Sequence, residues 1–300
     1  MQNGLLRSIN YPLPKLILGT KNWGDLVDLP EARSQLRTYL AAGGSAIEIS
    51  AVGKNLAIAG ELLAELTNRD QFQVHFNLSK VNNSARAQSE INLALSQTNL
   101  DYFDVLWANF EVQNLNIDNI VQFVEQNLKA EKTRYFGLDQ NEFWEFIYLH
   151  ENFKSARLTL SGLKSNWSLL ERGLSNSELK ACDFLNISVV AKKALGLGLL
   201  TGKYRFNTPS DSLLARGSTD LDNLLTSVNA SKVEALATAA DGIGVSPTEV
   251  AIAWLLAKPQ VAATVVNVRN TSQLTQILEA IKLEIPEEIE TALDEVGNFE

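Results

Sequence analysis

The sequence is poor in the residues that usually announce metal or redox chemistry. Among its 300 residues there is one cysteine, Cys182, and there are two histidines, His75 and His150. A single cysteine excludes an internal disulfide framework and a multi-cysteine metal site. Two histidines in no ligand spacing argue against a histidine-built metal centre. Cys182 lies in "ELKACDFLNI", a helical and semi-apolar setting that suits a buried structural thiol better than a nucleophile. No apolar run approaches the roughly 20 residues of a bilayer span, and the first residues are too polar for a secretory signal. Basic residues are outnumbered, 26 Lys+Arg against 35 Asp+Glu for a net charge of −9, so no basic face for a nucleic-acid backbone is expected. Linkers rich in Pro, Ser or Gly and low-complexity segments are also missing. The expectation is one soluble, cytoplasmic domain over residues 1–300, with neither nucleic-acid nor membrane partners and no resident metal. Nothing in the sequence indicates an oligomeric state.

What is present is a regular alternation. Short runs rich in branched residues recur between longer helical patterns: "LPKLILGT", "SAIEIS", "QFQVHFNLSK", "YFDVLWAN", "TRYFGLD", "ARLTLSGLK", "ISVVAKKAL" and "AATVVNV". Between them lie helical stretches such as 29–44, closed by glycines, and "SARAQSEINLALSQTN", for which Ser84 is the expected N-cap. Eight strands alternating with helices over this length predict a (β/α)8 TIM barrel. A doubly wound sheet would want a glycine-rich phosphate loop after its first strand, and "GTKNWGD" has no G-x-G-x-x-G. The longest irregular segment is 205–228, a length usually found in lids or disordered loops.

In such a barrel function gathers where strands end. The polar side chains there are Glu48, Lys80, Asn109, Asp139, Gln140, Lys164, Lys192, Lys193, Asn267 and Arg269. Either they converge on a site, or acids and lysines satisfy one another as a charge-balanced plug. Trp23 and Trp107 read as packing residues, and His75 as a packed or rim imidazole. Asp101 and Asp104 read as solvated loop and strand-start residues. The helix "IPEEIETALDEVG" presents an acidic solvated face.

Several motifs, in order from about residue 13 to the C-terminus, resemble the aldo/keto reductase family. "LTGKY" after "LGLGL" is similar to its G-x-L-T-G-K-Y, and "WSLLER" to its Y-S-L-L-E-R. "TRYFGLD" resembles I-R-Y-I-G-V-S-N, and "LDYFDVLWAN" resembles L-D-Y-I-D-L-Y-x-x-H. "AIAWLLAKPQVAATVVNVRNTSQL" is similar to the family's last helix and strand. The resemblance implies a nicotinamide cofactor, usually NADPH, and a small carbonyl substrate. It also implies a tetrad of Asp, Tyr, Lys and His. In that tetrad the Tyr hydroxyl protonates the carbonyl oxygen, and the Lys, paired with the Asp, lowers the phenol from its usual pKa of ~10.

Carried over residue by residue, the tetrad is largely substituted. Glu48 stands for the Asp, Lys80 for the Lys and Asn109 for the His. The Tyr position falls on Val52 or Gly53. At the cofactor positions Asp139 and Gln140 replace the Ser-Asn pair that holds the carboxamide, and Lys164 replaces a Gln. Trp167 keeps the aromatic that stacks on the nicotinamide. Leu195 and Gly198 lie in the loop after strand seven. Arg269 and Gln273 match the adenosine-phosphate segment, while Ile277 replaces an Asn.

Three readings follow from this pattern. The first is an NADP(H)-dependent carbonyl reductase working without the usual proton donor, whose absence should cost roughly 10²–10⁴-fold. The second is a non-catalytic binding or regulatory member, with Glu48–Lys80 and Asp139–Lys164 pairs filling the nicotinamide pocket. The third is a different enzyme in which Lys164 forms a Schiff base.

Overall fold

The protein is described by a computed structural model covering residues 3–51, 54–66, 69–140, 142–205 and 218–297. Eight parallel strands close into a barrel: β3 (Leu16–Gly19), β4 (Ala46–Ser50), β5 (Gln73–Val81), β6 (Phe103–Phe110), β7 (Thr133–Asp139), β8 (Leu160–Asn166), β9 (Val189–Lys192) and β10 (Val261–Val266). They pair in chain order, with β10 returning to β3. Helices α1 (Leu29–Ala41), α2 (Asn55–Ala64), α3 (Ser84–Thr98), α4 (Ile117–Lys129), α5 (Phe143–Ser155) and α6 (Asn176–Phe184) follow the strands in turn. Helices α7 (Thr219–Asp222), α8 (Ser227–Ile243) and α9 (Pro247–Ala257) lie between β9 and β10, and α10 (Thr271–Ala280) and α11 (Glu287–Gly297) end the described chain. The expected (β/α)8 barrel is therefore observed, each strand overlapping its predicted run, with β5, β6, β8 and β10 extending one or two residues beyond it. Among the described residues no helix is long and apolar enough to cross a membrane.

Period-two alternation divides the strand residues between two cores. Ile47, Ile49, Leu106, Phe136, Leu138, Leu163 and Val189 face the helices and join the large outer core. Ile17, Ala46, Val105, Trp107, Val190 and Val265 fill the lumen. The Trp107 indole spans that lumen, and it fits because its neighbour has no side chain: a Cβ on Gly137 would lie 2.3 Å from the ring.

Two further strands precede the barrel and were not expected. β1 (Asn3–Leu6) and β2 (Tyr11–Pro14) form an antiparallel hairpin whose Leu6 and Leu13 join the lumen core. Ser8 Oγ donates to the Leu160 carbonyl at 2.6 Å, and the Arg7 amide donates to Ser188 Oγ at 3.0 Å, fastening the hairpin to β8 and to the start of β9. Asp104, expected to be solvated, is 2% exposed at this closed end. It accepts from the Val74 amide at 2.7 Å and from Arg69 at 2.8 Å, partners that lie far away in sequence. The N-cap of α3 is Asn83, which is extended and accepts from the Arg86 amide at 3.0 Å; Ser84 is the first helical residue. Within the irregular 205–228 segment, residues 206–217 lie outside the described residues, while α7 and the start of α8 occupy its second half.

Candidate functional site

Above Trp107, at the carboxyl ends of the strands, the lumen turns polar. The parity that sends Ile47 and Ile49 outward sends Glu48 inward, and the same rule places Asn77, Asp139, Lys164 and Lys192 there. Lys164 Nζ donates to Glu48 Oε2 at 2.6 Å and lies 3.9 Å from Asp139 Oδ2. Lys192 Nζ donates to Asp139 Oδ1. The Asn77 amide, oriented so that both its ends are satisfied, accepts from Lys164 Nζ at 3.1 Å and donates to the Leu78 carbonyl at 3.3 Å. Lys164 is completely buried and sits 5.6 Å above the Trp107 ring. Two carboxylates and two lysines thus form one charge-balanced group, buried except for Lys192 at its edge.

The electrostatics follow from burial and neighbours. Burial on its own would raise the Asp139 carboxyl, but Lys164 and Lys192 together outweigh it and hold the group below the usual carboxylate range. One layer lower, burial above all and then Lys164 push the His75 imidazole down to about 3. His75 Nδ1 accepts from Trp107 Nε1 at 3.2 Å, which leaves the proton on Nε2, an atom with no partner among the described residues.

Lys80 is not a member of this group. Its Nζ pairs with Glu111 at 3.0 Å and its side chain is 65% exposed. The expected Glu48–Lys80 pair is therefore replaced by Glu48–Lys164. The cause is strand register. Glu48 lies beside His75, whereas an irregularity between Asn77 and Lys80 carries Lys80 up to the level of Asn109. From there its stem reaches the rim. The expected Asp139–Lys164 contact is present, since the two residues are direct register partners, but Lys192 is the closer partner of Asp139. Asn77 and Lys192 complete the group, and the alternation V-H-F-N in β5 was the signal for Asn77.

The remaining expected residues are engaged elsewhere. Asn109 donates to the Asp139 carbonyl. Gln140 is 2% exposed and stitches β7 to β6: its Oε1 accepts from the Phe110 amide at 2.9 Å and its Nε2 donates to the Phe110 carbonyl at 3.2 Å. Trp167 is buried and lines an outer cleft with Arg172 and Trp254. The Leu195 carbonyl accepts from the Gly198 amide at 2.9 Å, and Gly198 holds φ +96°, a conformation that favours glycine. Gln273 Oε1 accepts from the Arg269 amide at 2.9 Å. At the start of α10, the Thr271 amide and hydroxyl both donate to Glu31 Oε1, the hydroxyl at 2.8 Å. Ile277 is buried. Val52 and Gly53, where the phenol would stand, lie outside the described residues.

An eight-stranded parallel barrel with its polar side chains gathered at the carboxyl mouth defines the broad class of α/β-barrel proteins. Within that class, the Aldo/keto reductase family model matches residues 15–298, and the chain belongs to that family. It is 24% identical over 217 residues to a putative voltage-gated potassium channel subunit beta of Schizosaccharomyces pombe, covering 70% of this chain and 63% of that one. It is 23% identical over 200 residues to an L-glyceraldehyde 3-phosphate reductase of Escherichia coli, covering 64% and 57%. Protein tas of Escherichia coli is 21% identical over 328 residues, covering 93% and 92%. The match thus spans less than two thirds of the first two relatives.

The family generally uses NADP(H), and the residues present fit that cofactor poorly at both ends. Where a carboxamide would be held, Gln140 is spent on the Phe110 backbone and Asp139 on two lysines. Where an adenosine phosphate would meet a helix start, a carboxylate of the chain itself already takes the first amide of α10.

Proposed function

We propose that this chain is a non-catalytic member of the aldo/keto reductase family, binding a small polar molecule at the barrel mouth without reducing a carbonyl. The observation that carries this reading is the buried Glu48–Lys164 pair, closed off by Asp139, Lys192 and Asn77. Carbonyl reduction by the family's route needs a lysine free to tune a phenol. Here the buried lysine is held by carboxylates, and the lysine at the family's position is at the rim with Glu111. A Schiff base at Lys164 is disfavoured for the same reason: its Nζ is enclosed, and a carbonyl carbon has no approach to it. Lys192, whose side chain is 23% exposed, and Asn109 are the groups through which a ligand would be recognised. Relatives named as potassium channel beta subunits make a subunit role compatible with the family.

The test is to titrate NADPH and NADP+ against the purified protein by tryptophan fluorescence, then to assay NADPH oxidation with a panel of aldehydes and ketones. The expected result is no turnover with any carbonyl. Turnover that disappears in Lys164→Met would overturn the proposal.

A further inference from the structure

The start of α10 carries its own counter-ion. Glu31 is the third residue of α1, where a carboxylate ordinarily turns back to cap its own helix. Here no capping box forms, and the carboxylate crosses to α10 instead. Its Oε1 collects three donors: the Thr271 amide at 2.5 Å, the Thr271 hydroxyl at 2.8 Å and Gln35 Nε2 at 3.3 Å. Gln35 is fully buried, and its Oε1 accepts at 3.0 Å from the indole Nε1 of Trp23, itself 1% exposed. A buried chain of side chains therefore aims the carboxylate at α10, which sets it apart from a loose surface contact.

The chain around this contact is drawn tight. The Lys21 amide donates to Asn267 Oδ1, and Asn22 Nδ2 donates to the Val268 carbonyl, each at 3.0 Å. Asn267 fits there because Gly19 has no side chain: a Cβ would lie 2.5 Å from Asn267 Oδ1. The loop between β3 and α1 is thereby fastened to the residues that lead into α10. The other early groups of α10 are also engaged, Asn270 Oδ1 with the Gln273 amide and Gln273 Oε1 with the Arg269 amide, each at 2.9 Å. A helix start favours an anion through its amides and its dipole. In this chain the anion is supplied from within. Glu31 takes the amide and the hydroxyl that a phosphate oxygen would take, and its charge repels a phosphate brought to the same place.

We propose that Glu31 is a specificity-determining residue: it excludes a phosphate from the start of α10, so that the chain rejects 2′-phosphorylated adenosine nucleotides, NADP(H) among them. None of the residues involved belongs to the Glu48–Lys164 group. The probe is adenosine 2′,5′-bisphosphate, which carries the phosphate and no nicotinamide, so its binding is read apart from any turnover. Adenosine 5′-monophosphate, which lacks the 2′-phosphate, is the control. In calorimetric titrations the parent should bind the bisphosphate no more tightly than the control. Glu31→Gln keeps an acceptor for Thr271 while removing the charge, and should bind the bisphosphate with a Kd on the order of 1 mM. Glu31→Ala also frees the Thr271 amide and hydroxyl, and should bind it about tenfold more tightly again. Neither variant should gain affinity for the monophosphate. A parent that prefers the bisphosphate overturns the assignment. So does a Glu31→Gln variant that shows no preference at about 10 mM, or one that gains equally for both nucleotides.

Discussion

Lys164 shows what one residue means when it is wholly enclosed. Taking an ammonium and a carboxylate from water is costly, and only a close partner repays it. Removing one member leaves the other buried and uncompensated, so Lys164→Met should destabilise the fold by about 3–5 kcal/mol. Glu48→Gln should cost less, because Asp139 still faces Lys164. The double variant should recover much of the loss, and a urea-unfolding double-mutant cycle reads the coupling directly. If the two losses simply add, the pair is not the unit described. His75 gives a second residue-scale expectation. Its folded imidazole is held at about 3, against an ordinary value of 6.5. The unfolded chain therefore takes up this proton first as pH falls. The stability His75 contributes is complete above about 6.5 and is lost progressively towards pH 3, by at most about 5 kcal/mol. His75→Gln removes the titrating group while keeping an acceptor for Trp107. Its unfolding free energy, measured from pH 7 down to 4, should fall less steeply than that of the parent. An unchanged slope would assign the acid sensitivity to the carboxylates instead.

At the scale of elements, β4 and β5 explain which parts of the site were legible. Branched residues at alternate positions of β4 marked the strand, and the single acid among them marked the inward face. That is why Glu48 is legible as a strand-end candidate, although its partner is Lys164 and not the expected Lys80. The position of Lys80 was not legible, because the irregularity between Asn77 and Lys80 breaks the period-two pattern and no residue type announces it. Motif matching placed Lys80 at the site, while register placed it on the rim. Gln140 was likewise found by position, but its long amide reaches the Phe110 backbone instead of the mouth. The fold itself was easier to read, since every barrel strand repeats one signal. The β1–β2 hairpin escaped notice because its second strand contains Pro12 and Pro14, which demote a run unless it is an edge. The register argument carries its own prediction. Lys80→Ala should leave the urea midpoint unchanged, in contrast to Lys164→Met. A large loss in Lys80→Ala would mean that the side chain turns inward in solution.

At the scale of the molecule, the barrel is closed at both ends by different means. The carboxyl mouth is closed by charges that balance one another, and the amino end by the hairpin. Leu6 and Leu13 supply apolar area beneath Ile17, Val105 and Trp107, and Arg7 and Ser8 fasten them to the wall. Ser188 Oγ also donates to the Leu5 carbonyl and Gln73 Nε2 to the Pro12 carbonyl, each at 2.8 Å, and the hairpin depends on such ties because a two-stranded ribbon is marginal alone. Removing residues 1–14 should therefore uncover the floor of the lumen without removing any barrel strand. The expected outcome is a protein with near-native far-ultraviolet circular dichroism, increased binding of a hydrophobic dye, and a lower, broader thermal transition. Arg7→Ala and Ser8→Ala together, which loosen the hairpin without deleting it, should produce a smaller shift in the same direction. If the truncated chain instead melts as sharply and as high as the full one, the lumen is sealed from within by Trp107 and its neighbours, and the hairpin is only an appendage.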